Sequence, residues 1–265
     1  MHYVDEGKGH PILMVAGTPM WSFMYRHPIK ALRDSFRCIA VDLPEFGLSE
    51  ARLVADKAFG SCADRLQAFV QKLNLNNFTL AVHATAGPSA LEMAVREHQR
   101  VHSLVISNSF AWPPKGKPIG AFVRIVSSNL FGSVNYHLNL LPRISARIGR
   151  RKGRMSIAEK QAILGPFQEL KKRRHLQNYL RSLRTESSFF EALEKHLSLL
   201  QPKPALLIYG AHDTGFKAGF LDKWKKALPN HRTVLFPEAG HYLLEDMPDQ
   251  YSKELRGWLT ALTTK

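Results

Sequence analysis

Short apolar runs alternate with amphipathic stretches along most of this chain, and that alternation constrains the fold more than any single motif. Residues 12–16, 38–41, 78–82, 103–106, 205–209 and 233–236 read as strands, most of them apolar throughout. Residues 21–34, 62–73, 87–98, 188–200, 217–228 and 248–262 read as helices, with Leu66, Phe69, Val70 and Leu73 repeating at helical spacing in the second. Strands that alternate with helices build a mostly parallel sheet covered on both faces. In such sheets ligands bind at the carboxyl ends of the strands. The informative loops are therefore those after Val82, Tyr209 and Phe236.

With 265 residues and 45% hydrophobic content, the chain can bury a substantial core as one large domain or a domain with an insertion. Cys38 and Cys62 are too few for a disulfide framework and read as buried thiols in a reducing compartment. The polar start MHYVDEGKGHP does not read as a signal peptide, and no apolar run approaches the roughly 18 residues of a membrane span. A cytoplasmic globular protein is expected.

The charge is uneven. The net formal charge is +15, and between positions 112 and 186 sixteen Lys and Arg face only Glu159, Glu169 and Glu186, which places +13 there. A shift of this size marks a separate module, 112–186, set into a core formed by 1–111 and 187–265. It opens on the loop sequence Trp112-Pro113-Pro114-Lys115-Gly116-Lys117-Pro118 and contains the run Lys171-Lys172-Arg173-Arg174. Four adjacent cations are expected to leave some charge unpaired and to attract an anionic surface weakly; the plainer reading is a solvated helix face. Metal-finger cysteines, aromatic-interleaved basic strands and helix-turn-helix signals are absent, so no specific nucleic-acid binding is expected.

The loop after Tyr209 contains Asp213, and the loop after Phe236 contains His241. A strand-end Asp followed by a strand-end His is the acid–base half of a catalytic triad: the carboxylate orients the imidazole and the imidazole moves protons. On spacing alone, an Asp capping the next helix and a satisfied loop His explain the pair equally well.

The surrounding motifs add weight to the first reading. The segment Gly17-Thr18-Pro19-Met20-Trp21-Ser22-Phe23-Met24-Tyr25-Arg26 resembles the HGNPTWSFLYR motif of haloalkane dehalogenases. DLPEFGLS at 42–49 resembles their DLIGFGLSD, and LAVHATAGP at 80–88 resembles their LVVHDWGGP. SNSFAWP at 107–113 is similar to the NTFAWP passage leading into their cap, and GHYLLEDMP at 240–248 is similar to GHFLQEDxP. Five motifs in order, spread over nearly the whole chain, resemble the dehalogenase and epoxide-hydrolase branch of the α/β-hydrolase fold. The resemblance implies that 112–186 is a helical cap, that Asp213 and His241 are catalytic, and that Gly17, Thr18 and Thr85 line the substrate or oxyanion site. It also implies that the chain starts at the family's second strand.

The departures gather at one place. The family's nucleophilic Asp falls on Ala84 and its halide-binding Trp on Thr85; the following Gly is Ala86, the halide-binding Asn is Thr18, and the His before the glycine is Ala16. Alanine offers no lone pair, so no covalent ester forms through position 84. Loss of a nucleophile costs on the order of 10⁶-fold in turnover in a well-studied serine protease. One inactivating change would explain Ala84 alone but not the whole set. Thr85 carries a hydroxyl, but its side chain is expected to point partly away from the site while its N–H faces the oxyanion. His83 reads as a packed, hydrogen-bonded histidine, and Trp21 as core. Two functions follow. One is a divergent hydrolase, lyase or oxygenase that needs no metal or cofactor and uses His241 as general base on a small hydrophobic molecule. The other is a pseudoenzyme that binds a small molecule or, through its basic cap, an anionic surface.

Overall fold

The computed structural model describes residues 1–50, 58–148, 150–151 and 153–263. Its strands are β1 (Tyr3–Glu6), β2 (His10–Val15), β3 (Phe36–Val41), β4 (Phe78–His83), β5 (Val101–Ser107), β6 (Ala205–Gly210) and β7 (His231–Phe236). They form one sheet in the order β1-β3-β2-β4-β5-β6-β7. All neighbours are parallel except β1, which pairs antiparallel with β3 at the edge. The interior strands are apolar on both faces because helices cover both. Leu13, Val15, Ile39, Val41, Leu80 and Val82 point to one face, and Ile12, Met14, Cys38, Ala40 and Ala81 to the other.

The helices are α1 (Arg26–Leu32), α2 (Ala58–Lys72) and α3 (Gly87–Arg96), followed between β5 and β6 by α4 (Ile119–Val126), α5 (Asn129–Leu138), α6 (Leu140–Ile148), α7 (Ile157–Leu164), α8 (Leu170–Thr185) and α9 (Ser187–His196). After β6 come α10 (Thr214–Lys217), α11 (Phe220–Ala227), α12 (Leu243–Asp246) and α13 (Pro248–Thr263). Helices α2, α3, α9 and α11 cover one face of the sheet through residues such as Phe59, Leu91, Leu193 and Trp224. Helices α1 and α13 cover the other through Ile29, Leu32, Leu255 and Leu259.

Three elements differ from the sequence expectation. The stretch 21–34 is a short 3₁₀ turn, Ser22–Tyr25, running into α1. In the stretch 217–228 the helix starts only at Phe220, because Gly219 adopts φ +78° and separates it from the short α10, which ends at Lys217. β1 is a strand with alternating exposure, invisible to a search for apolar runs.

Strands β3 and β4 flank β2 on opposite sides, so consecutive connections run in opposite directions from it. This reversal opens a crevice at the carboxyl ends of β2 and β4, where parallel sheets place their ligands. Among the described residues, the segment between β5 and α9 is helical or coil, and it reaches those same ends. Trp21 Nε1 donates to the Ala162 carbonyl (3.2 Å), and Lys172 Nζ donates to the Gly47 and Ser49 carbonyls (2.5 and 3.2 Å). Its apolar side is continuous with the sheet's core through Val123, Phe167, Leu176 and Tyr179.

Candidate active site

The turn after β4 carries Ala84 at φ +52°. A β-carbon disfavours this left-handed conformation by roughly 1–2 kcal/mol, and here it redirects the chain sharply from strand into α3. The turn is fixed from outside. Ser109 Oγ donates to the Ala84 carbonyl (2.6 Å), and Tyr179 Oη, from α8, donates to the Thr85 carbonyl (2.7 Å). The backbone follows the strand–turn–helix course of a nucleophile elbow, and its left-handed residue carries only a methyl group.

Gly17 lies against this turn. A β-carbon there would sit 2.5 Å from Thr85 N and 2.8 Å from the His83 carbonyl oxygen, so only glycine allows the approach. That closeness decides the direction of Thr85. Its hydroxyl does not turn away from the site, as expected, but accepts the Thr18 backbone N–H at 3.1 Å. One of the N–H groups expected to serve an oxyanion is thus already engaged. The Thr18 hydroxyl is buried and has no hydrogen-bond partner among the described residues.

Asp213, 1% exposed, follows β6. Its Oδ1 accepts the N–H groups of Gly215 and Phe216 (2.8 and 3.0 Å), capping α10, and its Oδ2 lies 2.6 Å from His241 Nδ1. The helix cap and the Asp–His contact are therefore present together, one for each oxygen. A carboxylate only accepts, so Nδ1 carries a proton, and in the neutral imidazole the lone pair is then on Nε2. The His241 side chain is 43% exposed, which leaves that nitrogen within reach of a ligand.

The histidine loop is anchored by groups the sequence did not single out. Asn108 Nδ2 donates to the carbonyls of Gly240 and His241 (2.9 and 2.8 Å), while its Oδ1 accepts the Gly210 N–H (3.0 Å). One amide thus joins the ends of β5 and β6 to the His241 loop. Its positive φ, +45°, is a conformation asparagine tolerates. Asp246 Oδ2 accepts the Gly240 N–H (2.7 Å). His83 is fully buried and donates from Nε2 to the His241 carbonyl (2.8 Å). Burial, and then the neighbouring His241 ring, push its pKa down to about 3, outweighing that hydrogen bond. His83 is the packed, hydrogen-bonded histidine the sequence implied. Trp21 is not core: it is half-buried and lines a cavity of about 400 Å³ with Leu48, Pro166 and Lys172, at the seam between loops and inserted helices.

A second charged cluster lies beside α12. Arg26 bridges Glu245 (2.5 Å) and Glu159 (2.8 Å), and Arg150 bridges the same two carboxylates (2.9 Å each). His27, Glu159 and Glu245 bring ligand atoms within 4.8 Å of one another, as a metal site would. Both carboxylates already serve two guanidiniums, however, so the local positive charge is supplied by arginine. Burial pushes the Glu159 carboxyl up, but hydrogen bonds from Ser156, Arg150 and Arg26 outweigh it and hold it at about 2.

The run 171–174 also differs from expectation. Lys172 is 5% exposed, and burial lowers its pKa. Arg173 donates to the Phe167, Tyr136 and His137 carbonyls, Lys171 pairs with Glu169 (2.8 Å), and Arg174 lies over the Tyr136 ring. All four cations have partners within the chain.

A fold with this sheet order, an elbow after β4 and an Asp–His pair after β6 and β7 defines a class, and the chain belongs to the alpha/beta hydrolase family, whose model matches residues 12–254. Within it, the relatives fall in the dehalogenase-like branch. The chain is 30% identical to the cis-3-alkyl-4-alkyloxetan-2-one decarboxylase of Shewanella oneidensis, over 100% of this chain and 86% of that protein. It is 32% identical to haloalkane dehalogenase 2 of Mycobacterium tuberculosis, over 94% of this chain and 88% of that one. The crystal structure of a putative ancestral haloalkane dehalogenase superposes with a TM-score of 0.88 at 22% identity, covering 100% of this chain and 96% of that one.

Proposed function

We propose that the chain is a divergent enzyme in which His241, oriented by Asp213, acts as general base on a small hydrophobic substrate, without a covalent intermediate on the protein. The observation that carries this is the 2.6 Å contact between His241 and a buried Asp213 whose other oxygen is fixed by two backbone N–H groups. An oriented imidazole with a free Nε2 can take a proton from water as the water oxygen attacks an ester or lactone carbonyl, then return that proton to the departing alkoxide. In this reading Ala84 leaves space for the water, and residues 112–186 cap the substrate. The name of the Shewanella oneidensis relative suggests cis-3-alkyl-4-alkyloxetan-2-ones as the first compounds to test, with simple esters beside them for the chemistry above. We assign it to the cytoplasm, where the buried Cys38 and Cys62 remain thiols.

The test is a single turnover in ¹⁸O-water. Label should enter the product and not the protein, intact-mass spectra should show no adduct, and His241→Gln should abolish turnover. A covalent adduct, or a His241→Gln variant of full activity, would overturn the proposal. A specific observation favours a pseudoenzyme as the second reading: Thr85 Oγ1 already accepts the Thr18 N–H. That reading gains if no compound turns over while small hydrophobic ligands still raise the melting temperature.

A further inference from the structure

We infer that the α4–α5 corner of the inserted helices is a docking site for an anionic phospholipid surface, separate from the dyad. From residue 112 to residue 158 the sequence contains nine Lys and Arg and no Asp or Glu. In that stretch α4 is apolar on two sides. Ile119, Val123 and Val126 face the core, at 8%, 4% and 2% exposure. Phe122 and Ile125 face outward at 48% and 61%, and Leu130, at the start of α5, is 78% exposed. Residues three apart on a helix share a face, so Phe122 and Ile125 stand side by side. Leu130 follows across a tight turn, where Ser128 Oγ donates to the Ile125 carbonyl (2.8 Å).

Cations border this apolar group. Arg181 reaches Asn129 Oδ1 (2.7 Å), and Arg184 reaches Ser127 Oγ (3.4 Å), so both guanidiniums are drawn to the same turn from α8. On the other side of α4 lies a groove of about 530 Å³. It is lined by Lys115, Lys117, Arg124 and Arg184 and by no acidic residue. Unlike Lys171, which pairs with Glu169, none of these cations has a carboxylate partner among the ion pairs of the described residues.

Large exposed apolar side chains ringed by uncompensated cations match the interface of an anionic bilayer. The apolar group enters the acyl boundary while the cations hold phosphate oxygens. A nucleic-acid backbone would use the cations but would leave Phe122, Ile125 and Leu130 in water. No helix among the described residues is long and apolar enough to cross a membrane, so the attachment proposed is peripheral.

The experiment is co-sedimentation of the full chain with vesicles. Phosphatidylglycerol-containing vesicles should bind it, and pure phosphatidylcholine vesicles should not. Replacing Arg124 and Arg184 with Gln should weaken vesicle binding roughly tenfold or more, as expected from the contribution of each cation near a charged bilayer. Replacing Phe122 and Ile125 with Ser should also weaken vesicle binding while leaving retention on heparin unchanged. These side chains are exposed, so unchanged circular dichroism is expected for both variants. Phe122→Trp supplies a second measurement, with emission shifting to the blue when phosphatidylglycerol vesicles are added. Full vesicle binding by the Ser variant, equal binding to both lipids, no shift from Phe122→Trp, or tighter binding to duplex RNA than to vesicles at the same salt would each overturn the inference.

Discussion

One carboxylate oxygen of Asp213 holds the start of α10 and the other holds His241, and substitution separates the two. Asp213→Ala removes both and should cost about 1–2 kcal/mol, the usual effect of losing a helix cap. Asp213→Asn keeps an accepting oxygen for the helix but turns an N–H₂ group toward His241. The imidazole should then change tautomer and lose its Nε2 lone pair at little cost in stability. Urea titration and imidazole ¹⁵N shifts check both statements; an unchanged tautomer in Asp213→Asn would contradict the orienting role. His83 gives a pH prediction. Its folded-state pKa of about 3 lies below the ordinary 6.5, so the unfolded chain binds more protons between those values. Its contribution is complete above pH 6.5 and is lost as pH falls toward 3. The slope is about 1.4 kcal/mol per pH unit for one proton. His10, His27 and His102, also lowered by burial, add in the same direction. His83→Asn should flatten the acid limb of a plot of urea midpoint against pH, and an unchanged limb would show that His83 is not the titrating group. At this scale the Asp213–His241 contact was legible through the motifs around it, since the spacing of the two residues alone left a plain helix cap equally open. The direction of Thr85 was not, because it depends on how closely Gly17 approaches from another strand.

Two sets of contacts fasten the inserted helices to the sheet's loops. The first is the Arg26–Glu245–Arg150–Glu159 ring. The Glu245 side chain is fully buried, and Glu245→Ala leaves two guanidiniums with only Glu159 between them. Removing one partner of a buried ion pair costs about 3–5 kcal/mol, and an unfolding free energy from urea titration lowered by less than a third of that would show that water already screens the ring. The second is a stripe on α8. Lys172 meets the Gly47 and Ser49 carbonyls, His175 meets Glu45 (2.8 Å), and Tyr179 meets Thr85. Lys172→Ala should speed amide hydrogen exchange in 43–49, whereas Lys171→Ala, on the exposed side, should not. Equal exchange in the two variants would mean that Lys172 does not hold the loop. The sequence carried a sign of this that the charge count hid. Position 172 shares the helical spacing of the buried Leu176, Tyr179, Leu180 and Leu183, so one lysine of the run had to face inward. Charge composition locates a basic segment, but periodicity decides which of its cations meet water.

At the scale of the molecule, the interior strands were readable because parallel strands are apolar on both faces, whereas β1, a polar edge strand, offers no such signal. The positions at which the sequence departs from the dehalogenase motifs lie in separate loops, after β2 and β4. Short bromoalkanes should therefore yield no bromide above background. Ala84→Asp alone should restore little, since Thr18 and Thr85 do not supply the halide donors that the family resemblance places there. Bromide release by the unmodified chain would refute that view. The inserted segment, with +13 of the formal charge of +15, lies to one side of a nearly neutral core. Its centre of charge is therefore displaced from its centre of mass, and the molecule has a large electric dipole. In the field gradient beside a negatively charged surface, such a body feels a torque as well as a pull. It turns its helical insertion forward while still about a Debye length away, roughly 8 Å at physiological ionic strength, so its orientation is set before the first side chain makes contact.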